Sequence, residues 1–486
     1  MIRQLKSIAA DLTLVETVGD ASRGIRRIVF DSRQADADSL FVAQKGVASD
    51  GHDFIPAVFA QGCRAVMCER VPDGIPSDAC VLVVPDTHEA LGLAASSFYG
   101  HPSRRLRLVG VTGTNGKTTI ATLLYRLTMA LGHKAGLFST VTNYIGHQAV
   151  PATHTTPDAV TLNALMAKMV DEGCEYCFME VSSHSVVQRR IAGLTFAGGL
   201  FTNITHDHLD YHKTFDAYIR AKKGFFDSLP RDAFAITNAD DRNGLVMVQN
   251  CAARCLTYSL RTMADFKADV VEHTFEGMKL HINGREVWML FVGRFNVQNL
   301  LAVYGAAVEL GFDSERVLTA MSALTPVSGR FETVRSADGR IAIIDYAHTP
   351  DALVNVISTI NEIRSERQQL IGVVGCGGNR DATKRPEMAA EAAKGCSRVV
   401  LTSDNPRNEA PDEIIAQMKA GLDDEQLLRT IAITSRREAI RAALLMARPG
   451  DIVLVAGKGH ETYQEIKGVR THFDDHEEVR EAFGIK

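Results

Sequence analysis

The stretch VTGTNGKTT, Val111 to Thr119, has the composition of a loop that holds phosphate. It follows an apolar run and opens a helical pattern. Backbone N–H groups of a glycine-rich turn and of a helix N-terminus then converge on one anion. Lys117 supplies a point charge for terminal phosphates, and Thr118 offers a hydroxyl to Mg²⁺. Gly113, Thr114, Asn115, Gly116 and Thr119 complete the cradle. The usual spacing puts a glycine five positions before Gly116; here that position is Val111, so the turn is shorter than the standard form. The chemistry implied is use of a nucleoside triphosphate.

Two later segments carry groups for a metal. In FMEVSSHSV, Glu180 ends an apolar strand, where a carboxylate is costly unless a cation pairs with it. In NITHDHLDYH, three histidines and two aspartates fall within seven residues. That composition also suits zinc or a helix-capping surface cluster, but a phosphate loop implies a hard metal that prefers oxygen.

These groups need rigid elements behind them. LRLVGVT reads as a buried strand, and KTTIATLLYRLTMALG as a helix ending at Gly132. EYCFMEVS, AGGLFTNIT and AFAITNAD read as further strands. Strands alternating with helices imply α/β architecture with a parallel, doubly wound sheet. MKLHINGREVWML reads as an inserted hairpin turning at Asn283-Gly284. Beyond Arg330, four apolar strands (RIAIIDYAH, QLIGVVGCGGN, SRVVLTSDN, DIVLVAGKG) each end in a polar or glycine-rich loop. Ligands of open α/β sheets bind beyond the carboxyl ends of strands, so those loops are the place for chemistry. Residues 1–104 alternate short apolar runs with polar turns, as a small α/β domain does. The expected division is 1–104, 105–329 and 330–486.

A chain of 486 residues is too long for one core, and its 45% hydrophobic and 23% charged residues are ordinary for a globular enzyme. A net charge of −5 offers no basic field for nucleic acid. No apolar run approaches a membrane span, and the first residues lack the apolar core of a secretory signal. Nine cysteines, an odd number, argue against a disulfide framework and for a reducing cytoplasm. The pairs Cys174/Cys177 and Cys251/Cys255 both read as core cysteines.

The motifs GVTGTNGKTT, EVSSH, NITHDHLDYH, Ala221-Lys222, GRFNVQN, SGRFE, DYAHTPD, GCGGNRD, DNPR and AGKGHE occur in that order. The set resembles the Mur ligases of bacterial cell-wall synthesis, across nearly the whole chain, and the compact GTNGKT loop is usual there. The resemblance implies three domains: a small N-terminal α/β domain binding UDP-MurNAc, a central P-loop ATPase domain, and a Rossmann-like C-terminal domain carrying an amino acid. It implies ATP-dependent amide formation through an acyl phosphate, on the side chain of D-Glu in UDP-MurNAc-L-Ala-D-Glu. Glu180 and His208 are implied metal ligands with Thr118. Lys222 is the implied carbamylated lysine, an anionic oxygen ligand made from a neutral amine and CO₂; read from its neighbours alone it is a solvated helix lysine beside Lys223. Asn296 and Asn299 are implied at the adenine. Arg330 and Asp345 are implied at phosphate and ribose, with His348 close by. For the nucleotide-sugar the resemblance implies Phe30, Ser32, Val47, Ala48, Ser49, Thr155, Thr156, Ser182, Gln188 and Arg190. A monomer is expected.

The third-residue ligases of that family divide between meso-diaminopimelate and L-lysine. Diaminopimelate carries an extra distal carboxylate. Arg407 of DNPR presents a planar fork that suits it, with Arg380 a second candidate. Asp404, Asn405 and Glu461 are implied at the ammonium, with Pro406 and Gly457 lining the pocket. A lysine substrate would bring only an ammonium toward the guanidinium. The alternatives are a lysine-adding ligase and a nucleotide-dependent switch without synthesis. A charge-assisted hydrogen bond is worth roughly 1.5–3 kcal/mol, so Arg407→Ala and Arg407→Lys are expected to lose well over tenfold in kcat/KM with diaminopimelate. Steady-state assays with both amino acids check this, and equal loss with lysine would refute the assignment.

Overall fold

A computed structural model describes residues 2–46, 49–152, 154–205, 207 and 209–485, with 209 and 210 described by backbone only. Val47, Ala48 and His208 therefore lie outside the described residues. Among the described residues the chain builds three large sheets in succession, each with helices packed on both faces, and two two-stranded ribbons. The cause is visible in the strands: runs such as Leu370–Cys376 and Tyr176–Glu180 are buried at every position. Only parallel sheets covered on both sides bury such runs.

The first sheet has five strands in the order Glu16–Val18, Cys80–Val83, Ala65–Cys68, Ser39–Val42, Arg27–Val29. All are parallel except the first.

The second sheet has eleven strands. Strand Arg107–Thr112 lies between Tyr176–Glu180 and Gly198–Phe201, parallel to both. Glu180 is in register with Val111, and Phe201 with Thr112. Helix Lys117–Ala130 starts at Gly116 and is followed by Gly132 at φ +93°. The Asn283-Gly284 turn has positive φ at both residues, 46° and 80°. Its hairpin extends this sheet as the two outermost strands, Gly277–Ile282 and Arg285–Met289, rather than standing apart as an insertion.

The third sheet runs Glu332–Arg335, Ile341–Asp345, Ile452–Ala456, Leu370–Cys376, Arg398–Ser403, Thr430–Ala432, parallel except for the first. The loops after Asp345, Ala456, Cys376 and Ser403 are thus side by side.

All nine cysteines are free thiols. Cys174 and Cys177 are buried as expected, but Cys251 is half-buried and Cys255 exposed. Strand Arg254–Ser259 begins at the surface, so its first two residues never reach the core. No helix among the described residues is long and apolar enough to cross a membrane.

The last helix, Asp475–Ala482, is fastened by a buried ion pair. Arg436 donates to both oxygens of Asp475 at 2.7 and 2.6 Å and to the carbonyl of Ala456 at 3.0 Å. Neither side chain is exposed. Removing one partner of such a pair costs about 3–5 kcal/mol, because the other charge is left buried. Asp475→Ala is therefore expected to lower the unfolding free energy of the third unit by that amount, seen as a lower urea midpoint, and Arg436→Met with Asp475→Leu to recover most of it. Equal midpoints for Asp475→Ala and the native chain would contradict this.

Candidate active site

A cavity of about 780 Å³ lies between the carboxyl ends of the second and third sheets. Its wall includes Thr114–Thr119, Glu180 and Lys222 from one side, and Arg380, Asp404, Asn405, Arg407, Gly457 and Glu461 from the other.

The phosphate loop is held by backbone fit. A Cβ at Gly113 (φ +151°) would sit 1.8 Å from Thr202 Oγ1, and one at Gly116 (φ +88°) 2.5 Å from Asn299 Oδ1. Asn115 N–H donates to Asn203 Oδ1 at 2.9 Å. Two ammonium-bearing side chains converge on one carbonyl: Lys117 and Lys222 donate to the oxygen of Gly113 at 2.9 and 2.7 Å.

Lys222 is 1% exposed. It falls on the buried stripe of helix Phe215–Asp227, with Tyr218, Ala221, Phe225 and Phe226. Burial, then the charge of Lys117, pushes its amine well below the usual lysine range, against the pull of Asp207. Burial lowers Lys117 as well. Lys223, one position on, is off the stripe and pairs with Asp227.

Glu180 is 1% exposed. Its carboxylate accepts from Thr118 Oγ1 at 2.9 Å, from Thr140 N at 2.6 Å and from Thr140 Oγ1 at 3.2 Å. A buried carboxylate beside a hydroxyl at a helix N-terminus is an oxygen donor set that suits a hard divalent cation.

Arg330 crosses from the third unit. It donates to Thr118 Oγ1 at 3.4 Å and lies 4.5 Å over the ring of Tyr346. It stands between Gly329 and Phe331, both with positive φ (67° and 49°). That segment is tied to the third unit: Tyr346 N–H donates to Gly329 O at 3.0 Å and Phe331 N–H to Asp345 Oδ2 at 2.7 Å. His348 and His460 flank Tyr346 at 4.7 and 4.9 Å. Burial, then Lys384, holds His348 below the usual histidine range; burial, then Arg330, brings His460 down to about 3. Both rings are neutral at ordinary pH.

At the far end, Lys458 is fully buried. Its ammonium reaches Asn405 Oδ1 at 3.1 Å, Glu461 Oε2 at 3.2 Å and Asp404 Oδ1 at 3.6 Å. Asn405 Nδ2 donates to Glu461 Oε2 at 2.7 Å. Burial and the nearby Asp404 raise Glu461. Two carboxylates against one internal cation leave room for one more positive charge. Arg407, in the left-handed region at φ 51°, donates to Gly378 O at 2.7 Å, and Arg380 is exposed at the rim.

Thr155, Thr156, Ser182 and Arg190 also line the cavity. Arg190 donates to Thr156 O at 2.7 Å and is steadied by Gln188 Oε1 at 2.9 and 2.6 Å. Gln188, Asn296, Asn299, Asp345 and Pro406 do not line this cavity; Asn299 backs the loop at Gly116, and Asn296 donates to Val292 O at 2.8 Å. Phe30, Ser32 and Ser49 are elsewhere, at the carboxyl ends of first-sheet strands, where Phe30 is 42% exposed. Sequence reasoning passed over Lys458, Tyr346, His460 and Thr140. Lys458 and His460 stand inside the quoted AGKGHE motif and Tyr346 inside DYAHTPD, so position was the available signal; Thr140 had none.

The Mur ligase middle domain matches residues 111–307, the Mur ligase glutamate ligase domain residues 329–459, and the Mur ligase catalytic domain residues 24–99. The chain belongs to the Mur ligase family. This Mur ligase is 58% identical to the UDP-N-acetylmuramoyl-L-alanyl-D-glutamate–2,6-diaminopimelate ligase of Parabacteroides distasonis, over 99% of each chain. The protein of the same name from Phocaeicola vulgatus is 55% identical, again over 99% of both chains. A solved structure of a UDP-N-acetylmuramoyl-L-alanyl-D-glutamate–2,6-diaminopimelate ligase superposes with a TM-score of 0.71 at 33% identity, covering 100% of this chain and 99% of that one. The Mur ligase is an α/β ligase built from several domains.

Asp345 gives this Mur ligase a pH signature. Burial raises its carboxyl from 3.8 to about 6, against the pull of Arg330. A raised carboxyl favours the fold while protonated. That stabilisation is whole below the unfolded value of 3.8 and is lost as pH rises through about 6. The shift corresponds to roughly 3 kcal/mol. Asp345→Asn is therefore expected to gain stability relative to the native chain on going from about pH 4 to about pH 8, by up to that amount. Denaturant unfolding at the two pH values measures it; a pH-independent difference would exclude it.

Proposed function

We propose that this chain is an ATP-dependent ligase joining meso-diaminopimelate to the side-chain carboxylate of D-Glu in UDP-MurNAc-L-Ala-D-Glu. The observation that carries the reading is the continuity of one cavity, from the Lys117 loop to the Arg407 and Glu461 cluster. Residues 1–104 would hold the uridine end, 105–329 the ATP and 330–486 the incoming amino acid. The carboxyl ends of the first sheet, with Phe30, Ser32 and Ser49, present the surface for the nucleotide, and Val47 and Ala48 are proposed as further contacts to it.

A carboxylate is a poor electrophile, and amide formation in water is uphill. Transfer of the γ-phosphoryl to it makes an acyl phosphate with a good leaving group, which the amine then displaces. Lys117 and the loop N–H groups hold the transferring phosphate, and Arg330 adds charge from the opposite unit. Mg²⁺, when bound, would neutralise phosphate charge, held by Thr118 and Glu180 with His208. The depressed amine of Lys222 suits uptake of CO₂: a nitrogen–carbon bond forms, a proton leaves, and a buried anion replaces a buried amine. Thr155, Thr156, Ser182 and Arg190 would orient the acid, with Asn296, Asn299 and Asp345 behind the nucleotide and His348 beside Arg330.

At the amine end, Asp404 and Glu461 outnumber Lys458, which favours an ammonium, while Arg380 and Arg407 favour a distal carboxylate. Those two guanidiniums disfavour the lysine-adding alternative. A switch without synthesis has no use for the cluster. The protein is proposed to act as a cytoplasmic monomer.

The test supplies ATP, Mg²⁺, the nucleotide-sugar dipeptide and an amino acid to the purified chain. Phosphate release coupled to an amide product, requiring all three compounds and favouring diaminopimelate over lysine by more than about tenfold, is the expected result. Phosphate release indifferent to the acid and the amine would overturn the reading.

A further inference from the structure

Arg385 and Glu409 stand outside the cavity wall, yet the two loops that carry Arg380 and Arg407 hang on them. Arg385 is 1% exposed, in the first turn of helix Lys384–Gly395. Its guanidinium donates to Glu409 Oε2 at 2.8 Å and Oε1 at 3.0 Å, a two-bond fork. The same group donates to Gly377 O at 3.1 Å and to Gln417 Oε1 at 2.7 Å. Glu409 also accepts the N–H of Asn379. Asn379 Oδ1 in turn accepts the N–H of Asn408 at 3.1 Å.

The loop bearing Arg380 and the loop bearing Arg407 are thus laced through one ion pair. They touch directly as well: Gly378 N–H donates to Asn405 O at 2.9 Å, and a Cβ at Gly378 would lie 1.9 Å from Pro406 O. Asn379 and Arg407 are both left-handed, at φ 53° and 51°. Such backbone persists in a non-glycine residue only where the surroundings over-determine it. At Asn379 the surroundings are the Arg385–Glu409 fork, through Glu409; at Arg407 they also include a backbone bridge to Ile466, with the Arg407 N–H donating to Glu465 O at 3.1 Å.

We propose that Arg385 and Glu409 are positioning residues that set which amino acid the site accepts, by holding Arg407 and Arg380 at a fixed spacing. This rests on the reading of the cavity as a diaminopimelate site. A planar two-bond fork fixes direction as well as distance, which a lysine in place of Arg385 cannot reproduce. Neither residue touches the phosphate loop, so their effect is confined to the amine.

The experiment compares Glu409→Gln, Glu409→Ala and Arg385→Lys with the native chain and with Arg407→Ala, measuring KM for each substrate, kcat, and thermal midpoint. Displacements of about 1 Å can cost up to about 10²-fold in rate terms. KM for diaminopimelate is expected to rise about tenfold or more in Glu409→Ala and Arg385→Lys, and less in the isosteric Glu409→Gln. KM for ATP and for the nucleotide-sugar is expected to stay within about twofold, and the preference over lysine to shrink. Two results overturn the proposal: an unchanged preference in Glu409→Gln and Glu409→Ala while Arg407→Ala abolishes it, or a rise in all three KM values together that follows the thermal midpoint. If the native chain and Arg407→Ala both ignore diaminopimelate, the underlying reading of the cavity fails and this inference with it.

Discussion

The site depends on parallel pairing at one place: strand Arg107–Thr112, held in register between Tyr176–Glu180 and Gly198–Phe201. That register puts the phosphate loop, Glu180 and Thr202 at one edge. A slip of one residue would turn alternate side chains to the opposite face, and Glu180 would no longer meet Thr118. The third sheet repeats the principle: four parallel strands stop side by side, and their loops supply Tyr346, Lys458, Arg380 and Arg407.

Electrostatics then differs between the two ends of the cavity. At the loop end Lys117, Lys222 and Arg330 crowd together, and burial and mutual repulsion depress Lys222. A cluster of that kind is stabilised by an anion, or by conversion of one member into an anion. At the other end Asp404 and Glu461 crowd around Lys458, and Glu461 is raised. The loop cluster thus favours an anion, and the Asp404–Glu461 pair an ammonium. Opposite charge preferences about a shared cavity orient a substrate set.

Much of this was legible in the residues. Apolar runs between glycine-rich turns specified the parallel strands, because burial on both faces leaves no polar alternation to misread. The hairpin turn at Asn283-Gly284 was equally plain, since that pair accepts positive φ. Lys222 was harder: its neighbour Lys223 suggests a solvated face, while the phase of Tyr218, Phe225 and Phe226 puts Lys222 on the apolar stripe. Lys458 escaped because a lysine between two glycines carries no period, and only packing buries it. Cys255 was misplaced because a strand's first residues can precede the core. Contacts between separate units, such as Arg330 on Thr118, leave no local pattern at all.

The linkage at Gly329–Phe331 has a mechanical consequence. Both ends of that short segment are stapled to the third unit, while the side chain between them rests on the second. A Cβ at Gly329 would fall 2.2 Å from His460 N, so the segment packs backbone to backbone against the AGKGHE loop. The guanidinium is therefore a rigid pawl fixed to the third unit, and its contact with the hydroxyl of Thr118 couples the seating of that unit to the phosphate loop.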